Sequence, residues 1–223
     1  MTPSQRLGAW CFAIGSAVFI ATISSYTFAY GTPQGTAPDG SVTIADSARH
    51  MLDNAGLIRT IWIVEVLAVV MHAVAGFALA SRKASEQTLA PAGWLLLGIG
   101  STAYLAMYPT MLGTYWPAAE AVETVPALLE SANEQAVAAF LIANIPINLG
   151  FVLIYAAEAR LPERVLPRWL AWLGCASALV VFIGLVAVLA THGGMAQVMY
   201  VAPLAGLLFI ISVIFGLRLA RAA

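Results

Sequence analysis

The stretch IRTIWIVEVLAVVMHAVAGFALA (Ile58–Ala80) decides the fold. After Arg59, its only ionisable side chains are Glu65 and His72. At 1.5 Å per residue such a run crosses the ~30 Å hydrocarbon core of a bilayer. Apolar residues do not alternate with polar ones along it, which argues for a helix and against a barrel strand. A chain in lipid must satisfy its own backbone, so one such helix implies others packed beside it.

Five more stretches qualify on the same grounds: Leu7–Tyr30, Pro91–Gly113, Ala136–Ala157, Trp169–Ala190 and Val198–Leu217. The first run is too long for the h-region of a signal peptide, about 7–15 residues, and no small-residue cleavage pattern follows it. Composition agrees: 61% of the 223 residues are hydrophobic and 9% are charged, against about 25% charged in soluble domains. Mean hydropathy is +0.88. Too few charges exist to cover a water-soluble surface. A net charge of −1 leaves no basic excess for nucleic acid. The expectation is an all-α polytopic membrane protein over residues 1–223, one domain of six transmembrane helices in a lipid bilayer.

Basic residues orient it. Arg6, Arg82, Lys83, Arg160, Arg164, Arg168, Arg218 and Arg221 fall on one side of six crossings. Arg49 and Arg59 fall on the other, with Asp39, Asp46, Asp53, Glu120, Glu123, Glu130 and Glu134. Both termini are therefore expected in the cytoplasm. Cys11 and Cys175 lie near that reducing side and read as small apolar residues rather than as a disulfide.

The long outer connections carry local signals. Gly31–Ser41 is rich in Gly and Pro and should be irregular. Thr43 and Asp46 form an aspartate version of the capping box, which predicts a short interfacial helix within Ile44–Leu57. Tyr115-Trp116-Pro117 reads as an aromatic anchor opening a helix, and Pro126 separates two acidic outer segments, Pro117–Val125 and Ala127–Gln135. These connections either roof the bundle or merely solvate it. Pro109, Pro146 and Pro203 are expected to interrupt their helices. Gly8, Gly15, Gly93, Gly98 and Gly100 suit close helix packing.

Chemistry concentrates on Glu65 and His72, seven residues apart and so on one helix face. A charge at the bilayer centre costs at least about 2.5–3.5 kcal/mol, so each should face inward and have a partner. Depth matching offers Asn144 and Asn148 on span 4, Tyr104 and Tyr108 on span 3, Ser25 with Ser24, Tyr26, Thr27 and Tyr30 on span 1, and Tyr200 on span 6. Around His72 the matching level holds Ser16, Ser101, Ser177 and Ser212, a drier layer. A ligand or proton site from Glu65, Tyr104, Tyr108, Asn144, Asn148, Ser25 and His72, open to the outer side, is one reading. The other is that these groups are interhelical glue. His50 and His192 sit in outer loops, so no histidine pair for haem forms, and the ligands are too few for a metal. No catalytic residue, metal site or cofactor is assigned.

Leu166-Pro167-Arg168-Trp169-Leu170-Ala171-Trp172-Leu173-Gly174 resembles the segment opening the fifth helix in a family of uncharacterised bacterial integral membrane proteins, domain of unknown function 4386. Pro167 would start the helix, with Arg168, Trp169 and Trp172 at the interface. The resemblance extends to Gly150-Phe151-Val152-Leu153-Ile154-Tyr155, the long first outer loop, Glu65 and Ala202-Pro203-Leu204. It covers nearly the whole chain, but only the Pro-Arg-Trp segment is distinctive. His72 departs from the pattern, and the first outer loop is longer here. The resemblance implies six helices and no activity.

Three functions fit this sequence. One is a carrier- or receptor-like protein binding a small molecule or proton. Another is a non-catalytic accessory subunit that packs on a membrane protein partner or on its own copies. The third is an intramembrane enzyme with Glu65 as general base and Tyr104 or Tyr108 as acid. The charge split makes the first prediction: reporter fusions at residue 1 and residue 223 both score as cytoplasmic. Fusions that score on opposite sides, or both outside, would refute the topology.

Overall fold

The computed structural model describes residues 1–81, 89–191 and 200–222. It is helical throughout its ordered elements, with no strand among the described residues. The chain forms α1 (Pro3–Ser25), α2 (Ile44–Asp53), α3 (Ala55–Ala80), α4 (Leu89–Leu105), α5 (Tyr115–Glu120), α6 (Pro126–Arg160), α7 (Arg168–Ala190) and α8 (Ala202–Arg221). Single π-helical turns, Tyr26–Tyr30 and Thr110–Thr114, follow α1 and precede α5. Six stretches are long and apolar enough to cross a membrane: Pro3–Tyr30, Ala55–Ala80, Leu89–Glu120, Pro126–Arg160, Arg168–Ala190 and Ala202–Arg221. The chain is an all-α, multi-pass membrane protein.

Sequence chemistry explains the boundaries. Thr2 and Gln5 form a capping box, with Pro3 in the first turn, so α1 begins four residues before the expected Leu7. Pro126 likewise opens α6 at its first turn. The acidic segment Ala127–Gln135 is therefore the start of a 35-residue helix and not a separate outer element. Leu129 and Ala132 on its inner side are buried, which extends the apolar stripe outward past Ala136. Pro203 does not interrupt a helix; it lies in the first turn of α8, where its missing N–H costs nothing. Pro146 does sit inside α6, and Pro109 stands at the break between α4 and the second π turn. Residues 198 and 199 of the expected sixth span lie outside the described residues.

The six spanning helices form a closed ring: α1 packs on α3, α3 on α4, α4 on α6, α6 on α7, α7 on α8 and α8 on α1. Aromatic rings fill the centre. Phe12 of α1 lies 5.0 Å from Trp94, 5.9 Å from Phe151 and 6.3 Å from Phe215, centroid to centroid. Leu67, Ile99, Ile142 and Ile183 are exposed, as a lipid-facing surface requires.

Around α4 the helices meet backbone to backbone. A Cβ on Gly76 would stand 2.6 Å from Gly98 Cα and 2.7 Å from the Trp94 carbonyl oxygen. One on Gly93 would stand 2.8 Å from the Gly150 carbonyl oxygen. Small residues at such crossings let helices approach without a hydrophobic driving force between them.

Contacts also sort the ends. Gln5 Nε2 donates to Ser81 Oγ at 3.5 Å, and Arg218 Nη1 to the Val165 carbonyl at 3.4 Å. Gly216 of α8 packs on Ala9 and Ala13 of α1, so the start of α1, the end of α3, the α6–α7 turn and the end of α8 share one end of the ring. Arg6, Arg160, Arg164, Arg168, Arg218 and Arg221 belong to those segments; Arg82 and Lys83 lie outside the described residues.

The glycine contacts predict that Gly76→Leu lowers thermal stability in detergent by about 1–3 kcal/mol, the usual cost of overpacking. Gly206→Leu, where an added Cβ meets nothing within 4 Å, serves as the control. Equal melting temperatures for the two variants would show that the contact does not hold the bundle together.

Candidate functional site

Glu65 lies midway along α3, is 5% exposed and points into the ring. Its direct partner is Tyr26, whose hydroxyl donates to Oε2 at 3.3 Å. Tyr26 opens the π turn of α1. Such a turn holds an extra residue, and it often marks a functional position. Thr22, buried one turn earlier, also neighbours the carboxyl, though its hydroxyl donates to the Phe19 carbonyl at 3.1 Å.

From the other side come Tyr104 and Tyr108. They are four residues apart, share a face and pack edge to face with centroids 5.8 Å apart. The Tyr108 hydroxyl is buried beside the carboxyl and beside Tyr104, with no hydrogen-bond partner within 3.5 Å. Trp62, one turn outward from Glu65, belongs to the same buried cluster.

The remaining members of the expected layer do not bond to Glu65. The Asn144 amide donates to the Phe140 carbonyl at 2.9 Å and the Asn148 amide to the Asn144 carbonyl at 2.9 Å. The Ser25 hydroxyl donates to the Ala21 carbonyl at 2.9 Å. Each spends its donor on its own helix, the local bond that short polar side chains make most readily. Tyr200 is 85% exposed, outside the polar layer.

His72 occupies a second, separate layer about 10 Å deeper. Its Nε2 shares a 3.0 Å hydrogen bond with Ser16 Oγ. Its ring stacks on Phe19 at 5.1 Å and on Phe209 at 6.0 Å, with Phe12 and Phe151 around it. Of the serines expected there, Ser212 instead joins the Tyr155 hydroxyl at 2.7 Å. Among the described residues no group of three or more His, Cys, Asp or Glu side chains is arranged to hold a metal.

Above Glu65 the outer segments form a roof. Trp62 lies 5.7 Å from Trp116 of α5, and Arg59 sits over the Trp116 ring at 4.3 Å. Met51 and Ala48 of α2 are buried against the same cluster, so this amphipathic helix packs down on α5 and α6. Arg49 bridges Asp46 at 3.6 Å and Glu123 at 3.8 Å. His50 Nε2 bonds the Tyr30 carbonyl at 3.0 Å, tying α2 to the π turn of α1. Of the two readings of the outer connections, the structure has the roof.

Asp46 anchors it. The expected capping box with Thr43 is present, and the same carboxylate accepts from the Thr36 hydroxyl at 2.6 Å and the Thr36 amide at 3.1 Å. It thereby pins the irregular segment below it to α2.

One further acid escaped the sequence reading. Glu158 lies near the end of α6 and is 3% exposed. Its Oε1 accepts the Val165 and Leu166 amides, the second at 2.9 Å. This carboxylate shapes the turn that presents Pro167, Arg168 and the exposed Trp169. An acid in the last turn before a short Pro-flanked loop was the signal available for it.

Comparison with known proteins returns no matching family profile, no matching curated protein and no matching solved structure.

Hydrogen bonds from the Thr36 hydroxyl, the Thr43 amide and the Thr36 amide hold the Asp46 carboxyl well below its usual range. A depressed carboxyl stabilises the fold above its unfolded value, about 3.9, and that support is lost as pH falls further. The Thr36 and Thr43 amides should therefore stay protected from hydrogen exchange at neutral pH and lose protection only on strong acidification. Asp46→Ala, which removes the acceptor of both amides, should lose that protection at neutral pH; an unchanged exchange pattern in the variant would refute the anchor.

Proposed function

We propose that this chain is a multi-pass protein of a bacterial inner membrane that binds a small ligand or exchanges a proton at Glu65, in the manner of a carrier or receptor. The observation behind this reading is a buried carboxyl with one direct donor, Tyr26, a second buried phenol beside it in Tyr108, and, among the described residues, no cation in salt-bridge contact. Interhelical glue is expected to pair its polar groups, since a buried hydroxyl left unsatisfied costs about 1–3 kcal/mol. The position in the outer half, under a roof built from separate short helices, is suited to exchange with the outer side. The Leu166–Gly174 segment supports, on the same footing of resemblance alone, membership of the family of unknown function 4386.

The test is spectroscopic. In sealed vesicles, the infrared carboxyl band that disappears in Glu65→Gln should respond when the outer pH is stepped. Glu65→Gln should keep the fold, because an amide can still accept from Tyr26. A band that never responds in folded protein would leave Glu65 a packing residue.

A further inference from the structure

The end of the ring opposite the roof carries a charged patch with no part in the Glu65 layer. Arg160, Arg164, Arg168 and Arg218 gather at the α6–α7 turn, Leu161–Pro167, and all four are exposed. Two of them are fastened to the turn itself. Arg164 Nη1 donates to the Leu161 carbonyl at 3.1 Å and Arg218 Nη1 to the Val165 carbonyl at 3.4 Å. A guanidinium has five N–H groups, so each keeps others for a second partner. Among the described residues none of the four lies within 4.0 Å of a carboxylate; both ion pairs belong to Arg49 in the roof.

Nearby acids do not neutralise the patch. Glu158 is buried, and its carboxylate accepts the Val165 and Leu166 amides, so its charge faces the backbone of the turn. Glu163 is the one acid within the turn. Positive charge is therefore in local excess, on a backbone that hydrogen bonds hold in shape.

Beside the cations stand two indoles. Trp169 is 68% exposed and Trp172 40%, and the Arg160 guanidinium stands over the Trp172 ring at 5.9 Å. Leu173, Val180 and Ile183 continue from them as the exposed apolar face of α7. A basic cluster, then an aromatic belt, then an apolar helix face is the profile of a phospholipid. Phosphate oxygens suit the planar fork of arginine. Indoles sit at headgroup level, and acyl chains lie along the apolar face. A soluble phosphate would leave the indoles unused. A zwitterionic lipid would bring its own ammonium into a cluster that is already positive.

We propose that the α6–α7 turn binds an anionic phospholipid, its phosphate held by Arg160, Arg164, Arg168 and Arg218 and its chains laid on the Trp169–Trp172 face of α7. This site is independent of the reading of Glu65.

The test is native mass spectrometry of the full chain, released into mild detergent from nanodiscs holding equal amounts of phosphatidylglycerol and phosphatidylcholine. The parent should retain phosphatidylglycerol over phosphatidylcholine by at least about tenfold, since each arginine near an anionic lipid surface is worth about fivefold. R164Q/R168Q/R218Q should bring the two lipids to within about twofold of each other. Arg168 makes no side-chain hydrogen bond among the described residues, so Arg168→Gln alone leaves the fold intact and should lower the preference about fivefold. R49Q/R59Q, changed at the opposite end, should keep it. Glycerol phosphate, which has the charge and no chains, should not displace the lipid. Equal retention of both lipids by the parent, or a preference that survives Arg168→Gln and the triple variant, overturns the site. Displacement by glycerol phosphate overturns the lipid as its occupant and leaves a soluble organophosphate in its place.

Discussion

Everything at the candidate site depends on how closely α4 lies between its neighbours. Gly76 and Gly98 bring α3 and α4 together at backbone distance, and Gly93 and Gly150 do the same for α4 and α6. With side chains at those points, α4 would stand off from both. The rings of Tyr104, at the outer end of α4, and Tyr108, just beyond it, would then no longer reach the carboxyl on α3. A packing constraint in the inner half thus sets a chemical distance in the outer half. In a bilayer this is the expected order of causes. Apolar burial does not discriminate between helix and lipid, so shape and hydrogen bonding decide who touches whom.

The two layers of the ring differ in kind. Around His72 the imidazole is enclosed by Phe12, Phe19, Phe151 and Phe209, and its Nε2 bonds Ser16. Around Glu65 the carboxyl meets phenols, and one hydroxyl is left over. The first layer is a plug of stacked rings in which polarity is paired. The second is a cluster of phenols around one carboxyl.

How legible this was follows from the range of each interaction. The six crossings, the charge-sorted ends and the capping box at Thr43 are consequences of composition and of contacts three or four residues apart, and they could be read directly. The partner of Glu65 could not. Asn144, Asn148 and Ser25 match it in depth, but depth says nothing about rotation, and their donors close onto their own helices. Tyr26 reaches the carboxyl from a π turn, a local change of helical register with no composition signature. Pro126 and Pro203 look alike in sequence to Pro146, yet the first two begin helices and the third sits within one. The Glu158 turn depends on two backbone amides seven and eight residues away, beyond any periodic pattern.

The order of the ring has a consequence for biosynthesis. Each spanning helix packs on the next one made, and the circle closes where α8 meets α1, with Gly216 against the backbone of Ala9 and Ala13. Thr22, Tyr26, Trp62, Glu65, Tyr104 and Tyr108 all lie in the first half of the chain. A ribosome releases that half first. The glutamate therefore meets its phenols while α6, α7 and α8 are still being synthesised. The most expensive residue to leave in lipid is sheltered first by α1, α3 and α4, and α6 then fixes α4 at its final distance.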